Sequence, residues 1–97
     1  IKLALTEHEP MVKTYEENLW AELPDNELPA YVSLQLFTAT HQRLVFALKS
    51  LQEEELQRTI THPLNGKMSI AQLVATYAWH GKHHIAHITN LRKTMGW

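Results

Sequence analysis

The chain has 97 residues, of which 44% are hydrophobic and 20% are charged, and its formal net charge is −1 with neutral histidines. This length allows one domain with a modest core, and the balanced charge excludes the basic stripe that nucleic-acid binding requires. Cysteine is absent, which excludes disulfides, thiolate metal sites and cysteine nucleophiles. Because no signal-peptide pattern and no apolar run of about 20 residues is present, we expect a single cytoplasmic domain over residues 1–97 that contacts no membrane.

The first half of the sequence predicts two helices separated by a long connection. Residues 1–7 resemble the last turns of a helix that ends at the Glu9-Pro10 step, so we expect a further segment upstream of Ile1. Residues 8–29 hold three of the four prolines and predict a connection with a short helical turn near residues 16–22. A helix over residues 30–50 follows, because one stripe recurs at i, i+3 and i+4: Phe37, Thr40, His41, Leu44, Ala47, Leu48 and Leu51.

The second half predicts a hairpin between a short helix and a long one. A capping-box pattern from Ser50 to Glu53 predicts a short helix over residues 51–57. Residues 58–68 combine a β-prone segment with the turn signal Asn65-Gly66, which indicates a small hairpin-like excursion. A second capping box, Ser69 with Gln72, opens a helix over residues 69–94, and Gly96 is placed to end it.

Four of the seven histidines lie in the last helix, at His80, His83, His84 and His87. Residues four apart share one face of a helix, so two pairs are available, and imidazole is a preferred ligand of zinc and related metals. On a helical wheel His84 falls near the centre of the apolar stripe, His80 on its shoulder, His87 slightly further out and His83 well outside. That stripe consists of Ile70, Leu73, Tyr77, Ile88, Leu91 and Met95.

The wheel favours His80 and His84 as inward-facing metal ligands, against the alternative of two partly buried histidines hydrogen-bonded to their neighbours. Since Gly81 follows His80, the glutamate of an H-E-x-x-H protease motif is missing. A metal site needs further ligands, and His41 is a candidate from the preceding helix, although a core or boundary position is about equally compatible with its pattern. Additional ligand or pocket positions are His87 and Tyr77.

Several segments together resemble the YfiT-like members of the DinB superfamily of metal-binding bundles. The C-terminal helix carries the most specific of them, Tyr77-Ala-Trp-His80-Gly-Lys-His-His84-Ile-Ala-His87, followed by the terminal Met95-Gly-Trp97. Further matches occur at Tyr15-Glu-Glu17, His41-Gln-Arg43, His62-Pro63 and Gly66-Lys-Met-Ser69. The resemblance extends over essentially the whole chain.

The resemblance implies an all-α, up-and-down-type four-helix bundle that is usually dimeric, so we expect a homodimer that acts on a small-molecule substrate. It also implies one divalent ion, zinc or nickel, held by three histidines, two of which map onto His80 and His84. The third family ligand precedes the stretch that begins here at Ile1, so this chain lacks it unless His41 or a partner chain substitutes.

The resemblance further implies a metal-dependent hydrolase in which the ion activates water, or a thiol S-transferase of the bacillithiol type in which it activates a cosubstrate thiolate. Two non-catalytic alternatives remain open. The histidines would bind metal only to stabilise a helical assembly module, or they would form a pH-responsive dimer interface without metal.

Overall fold

The structure is a computed structural model that describes residues 1–97. It is mostly helical with one two-stranded sheet, which confirms the predicted fold class and the hairpin near residues 58–68. Two compact units make up the chain, residues 1–12 with 54–97 and residues 13–53. The elements are α1 (Lys2–Thr6), α2 (Glu17–Ala21), a 3₁₀ turn (Pro24–Glu27), α3 (Ala30–Lys49), α4 (Glu53–Leu56), β1 (Thr59–His62), β2 (Gly66–Ser69) and α5 (Ile70–Met95).

The first unit is organised around the β1–β2 hairpin. The strands pair antiparallel from Thr59↔Ser69 to His62↔Gly66, and Gly66 adopts φ +72, which an L side chain rarely tolerates. The Nδ1 atom of His62 accepts the backbone N–H groups of Leu64 and Asn65, both at 3.2 Å. His62 therefore organises the turn from a half-buried position.

The core of this unit is small and lies where α1, β1 and the start of α5 meet. The buried apolar residues of this core are Ala4, Ile60 and Ile70, which are 1%, 4% and 0% exposed. Arg58 fastens α1 to β1, because its Nε donates to the carbonyl oxygen of Ala4 and its Nη2 to that of Glu7 at 3.0 Å. These carbonyls belong to the C-terminal turn of α1, where a cation also complements the helix dipole.

Helix α5 begins directly from β2 and is capped at both ends as predicted. The Ser69 hydroxyl accepts the backbone N–H of Gln72 at 3.2 Å, and the Gln72 side chain accepts the N–H of Ser69 at 2.8 Å. Gly96 ends the helix in the left-handed conformation at φ +71. The helix has no stretch long and apolar enough to cross a lipid bilayer, and neither has any other helix of the chain.

Removing this cap is expected to destabilise the first unit modestly. Ser69→Ala deletes the acceptor for one of the four unpaired N–H groups at the start of α5, which costs about 1 kcal/mol in the free energy of unfolding. Urea denaturation followed by far-UV circular dichroism measures the change. Ser69→Asn, which restores a capping acceptor, should recover most of the loss, and an equal loss in both variants would contradict a capping role.

The second unit contains α2, the 3₁₀ turn and α3. The predicted helical turn near residues 16–22 is confirmed by α2, where the rings of Tyr15 and Trp20 lie 4.7 Å apart. The predicted helix over 30–50 is confirmed by α3. Pro29 is the N-cap residue of α3 and comes directly before its first helical residue, Ala30. Proline is most common one position later, at the first helical residue.

Two local expectations were wrong. Ser50 does not open α4, because its hydroxyl donates to the carbonyl oxygen of Ala47 at 2.8 Å and thereby belongs to the C-terminal end of α3. The apolar stripe of α3 is only half-buried in its C-terminal part, and Phe37 is 62% exposed. An amphipathic pattern marks a surface suited to packing, and burial requires a second surface to cover it.

Candidate metal centre

The first histidine pair converges on one point at the middle of α5. His80 and His84 are separated by one helical turn, and their Nε2 atoms lie 2.7 Å apart. Their ring centroids are 4.4 Å apart with the planes tilted by 58°. This distance is that of a hydrogen bond, in which the ring that is protonated at Nε2 donates and the other ring accepts.

This donor set fits a divalent cation. Two imidazole nitrogens that already face a common electrophile, the proton of their hydrogen bond, can face a metal ion in its place once both are deprotonated. Nitrogens bound to one tetrahedral zinc lie about 3.3 Å apart for Zn–N distances of about 2.0–2.1 Å. The pair would therefore open by roughly half an ångström, a change that small side-chain rotations provide.

The electrostatics of the cluster disfavour the protonated form of His84. The pKa of His84 is lowered, first because partial desolvation of the ring penalises its charged form, and then because His80, His87 and His83 repel a further positive charge. A lowered pKa favours metal binding, since a proton competes less strongly for the ligand nitrogen.

The structure contradicts the expectation that this pair faces a core. His80 and His84 are both exposed, as are the stripe residues on either side, with Tyr77 at 43% and Ile88 at 62% exposed. The reason is local: α5 is buried only at its first residue, Ile70, beside the hairpin. Leu73 and Val74 are half-buried, and every residue of α5 beyond Val74 is exposed, so the wheel predicted the direction of the stripe correctly and overestimated its burial.

The other histidines of the two long helices fall into two groups, and of them His87 and His41 were predicted as possible ligands. His83 and His87 lie on α5 beside the first pair, with their ring centroids 6.0 and 5.7 Å from that of His84. His41 lies on α3 in the second unit, where its ring stacks on Phe37 at 6.2 Å. No group of three or more histidine, aspartate or glutamate side chains is arranged to hold a metal ion, so the third ligand stays a prediction.

Sequence reasoning missed two side-chain arrangements, one beside the histidines and one at the hairpin. Trp79 stacks on His83 with a centroid distance of 4.7 Å and an interplanar angle of 17°. Glu9, at φ +45, forms an ion pair with Lys67 that lowers the pKa of its carboxyl through their hydrogen bond and charge. The i, i+4 spacing of Trp79 and His83 could have indicated the first; Glu9 and Lys67 are too distant in sequence for any local signal.

Comparison with known proteins extends these observations. The sequence profile of the DinB superfamily matches residues 3–88. Two proteins, from Bacillus cereus (strain 03BB102) and Bacillus thuringiensis subsp. konkukian (strain 97-27), are each 51% identical to it over 96 residues, which is 99% of this chain and 56% of theirs. Both carry the name "Putative metal-dependent hydrolase".

Among solved structures, the chain is similar to YfiT from Bacillus subtilis, described as "a probable metal-dependent hydrolase with an unusual four-helix bundle topology". The two share 37% sequence identity and superpose with a TM-score of 0.91, over 99% of this chain and 56% of YfiT. The chain thus spans about half the length of the curated relatives it matches. Its profile match, the identity of these relatives and its fold show that it belongs to the DinB superfamily.

Proposed function

We propose that this chain carries part of the active site of a metal-dependent hydrolase and that His80 and His84 are two of the metal ligands. The observation that carries the proposal is the 2.7 Å approach of their Nε2 atoms on one exposed helix face. The names of the relatives support the reaction class. When bound, a divalent ion supplies Lewis acidity and lowers the pKa of a water ligand to about 7.

The chain's own residues contribute orientation and electrostatics. His80 and His84 hold their Nε2 atoms at a common point because they occupy successive turns of one helix. His83 and His87 lie within 6.0 Å of His84 and repel a proton from it, which keeps its nitrogen available.

The proposal includes one ion, zinc or nickel, because imidazole ligands accept both. It also includes a third ligand, for which His41, His87 and Tyr77 are the candidates in this chain. Substituting each of the three separately and measuring the affinity for the first metal equivalent by competition with a chelating dye distinguishes them, since only the loss of a ligand of that ion weakens it strongly. Unchanged affinity in all three variants would place the third ligand in a partner chain or in another polypeptide segment.

A homodimer in the cytoplasm completes the proposal. Its support is the exposed apolar surface of α5, where Ile88, Leu91 and Met95 are 62%, 53% and 54% exposed, because surfaces of this kind mark contact sites. Analytical ultracentrifugation over a range of concentrations tests it. A monomer at every concentration would remove the dimer and leave the metal assignment untouched.

The hydrolase proposal is tested with untagged protein, loaded with zinc or nickel or stripped with a chelator. We expect hydrolysis of activated esters or amides only in the loaded form, lost in His84→Ala and retained in the matched variant His83→Ala. Transfer of a low-molecular-weight thiol to an electrophile, without hydrolysis, would favour the transferase alternative. Bound metal without turnover, together with dissociation or unfolding on its removal, would favour the assembly module.

Acidification provides a further prediction. Because the pKa of His84 is lowered in the folded chain, metal is expected to stay bound as the pH falls to about 6.5, where ordinary imidazole takes up a proton, and to be released below it. A zinc-sensitive dye added during titration from pH 8 to 5 measures the release. Loss of the metal already above pH 7 would contradict the prediction.

The lowered pKa of His84 also determines how acid changes the stability of the metal-free chain. Below about pH 6.5 the unfolded chain binds a proton at His84 more readily than the folded chain does, so His84 favours unfolding there and has no such effect above that pH. Comparing unfolding midpoints at pH 5.5 and 8 for the native chain and His84→Ala isolates this contribution. If acidification lowered the unfolding midpoint more in His84→Ala than in the native chain, the prediction would be wrong.

A further inference from the structure

A second histidine pair lies beside the first on α5. His83 and His87 occupy successive turns of the neighbouring ridge of the helix, and their ring centroids are 4.2 Å apart with the planes at 65°. The corresponding values for His80 and His84 are 4.4 Å and 58°. The two pairs therefore have nearly the same ring arrangement, although only His80 and His84 are assigned together as ligands of the hydrolase ion.

The surroundings of the second pair leave its nitrogens available. His83 and His87 are both exposed, and their contacts within the chain are ring contacts in which neither residue forms a hydrogen bond. Trp79 lies one turn before His83 and stacks flat on it. Stacking of this kind restricts the rotation of the His83 ring, which lowers the entropy lost when the ring binds a ligand.

We propose that His83 and His87 form a second divalent-metal site, separate from His80 and His84, which takes a borderline cation such as Ni²⁺ or Cu²⁺. Two imidazoles one turn apart supply two ligands to one ion, and water fills its other positions. The Irving–Williams order makes Cu²⁺ bind more tightly than Ni²⁺, and Mg²⁺ and Ca²⁺, which prefer oxygen ligands, are rejected.

The two sites interact through charge. The rings of His83 and His87 lie 6.0 and 5.7 Å from that of His84, so two dications would repel each other across a short, solvated distance. At low salt this repulsion weakens the second binding event roughly tenfold to hundredfold, and added salt reduces the effect. The second site therefore fills after the first, and filling the first does not abolish it.

The test uses the untagged full chain carrying His80→Ala and His84→Ala, titrated with Ni²⁺ by calorimetry and by tryptophan fluorescence. We expect about one Ni²⁺ per chain and quenching of Trp79, because Ni²⁺ quenches indoles close to it. Adding Trp79→Phe should remove most of the quenching and keep the binding. Adding His83→Ala and His87→Ala should remove both, with helix content checked by circular dichroism.

Two results would overturn the inference. Equal Ni²⁺ uptake with and without His83 and His87 would assign the binding to other groups of the chain. Absence of Ni²⁺ binding in the His80→Ala/His84→Ala variant would show that the four histidines form a single site. Because the first pair is deleted in these variants, either result is independent of whether the chain is a hydrolase.

Discussion

Replacing His84 with alanine is expected to abolish binding of the first metal equivalent. His84 contributes one of the two Nε2 atoms that lie 2.7 Å apart, and its loss leaves His80 as the single ligand that this pair contributes to the ion. Loss of a residue that only orients a ligand costs about 10–100-fold in metal affinity, so loss of the ligand itself should exceed that range. His80→Ala should have the same effect, because the two nitrogens act as a pair.

His83→Ala is the matched control, since it removes an exposed histidine from the next ridge of the same helix. Its affinity for the first equivalent should stay close to that of the native chain. Elemental analysis and competition with a chelating dye, on protein purified without a nickel column, give the comparison. Binding of as many metal equivalents by His84→Ala as by the native chain, with unchanged affinity for the first equivalent, would overturn the ligand assignment.

The largest expected effect on stability comes from Ile70→Ala. Ile70 is fully buried at the junction of β2 and α5, in a core with only two other fully buried apolar side chains. Truncating a buried isoleucine to alanine costs about 2–5 kcal/mol, which is a large fraction of the about 5–15 kcal/mol that stabilises a typical domain. We expect the variant to unfold at a much lower urea concentration.

Ile85→Ala tests whether that loss comes from burial. Ile85 lies on the same helix and makes the same change of residue type, but it is 61% exposed, so its effect should stay within about 0.5 kcal/mol. Urea titrations followed by circular dichroism at 222 nm compare the two. Equal losses in the two variants would show that Ile70 is not the centre of a core.

The features that the sequence predicted well are those with local causes. The boundaries of α5 follow from the Ser69–Gln72 cap and from Gly96, and each of these signals acts within a few residues. The hairpin follows from a β-prone segment beside Asn65-Gly66. The closeness of His80 and His84 follows from the helical period alone, and so does that of His83 and His87.

The features that it did not predict depend on contacts distant in sequence or on the presence of a covering surface. The contacts of Arg58 with the carbonyls of α1, and the ion pair of Glu9 with Lys67, join residues more than fifty positions apart. The exposure of His84 depends on what packs over α5, about which the residues of the helix carry no information. The identity of the third metal ligand could not be predicted for the same reason, because it depends on which side chains lie close to the histidines in the folded protein.

The direct passage from β2 into α5 links the histidines to the pairing of the strands. Ser69 is paired with Thr59 while it caps the helix, and the N–H of Ile70 donates to the carbonyl oxygen of Arg58 at 2.9 Å. No linker residue separates β2 from α5, so a change in strand pairing passes directly to the helix. A slip of the hairpin by one residue would turn α5 by about 100° around its axis, so the strand register sets the direction in which the histidines point.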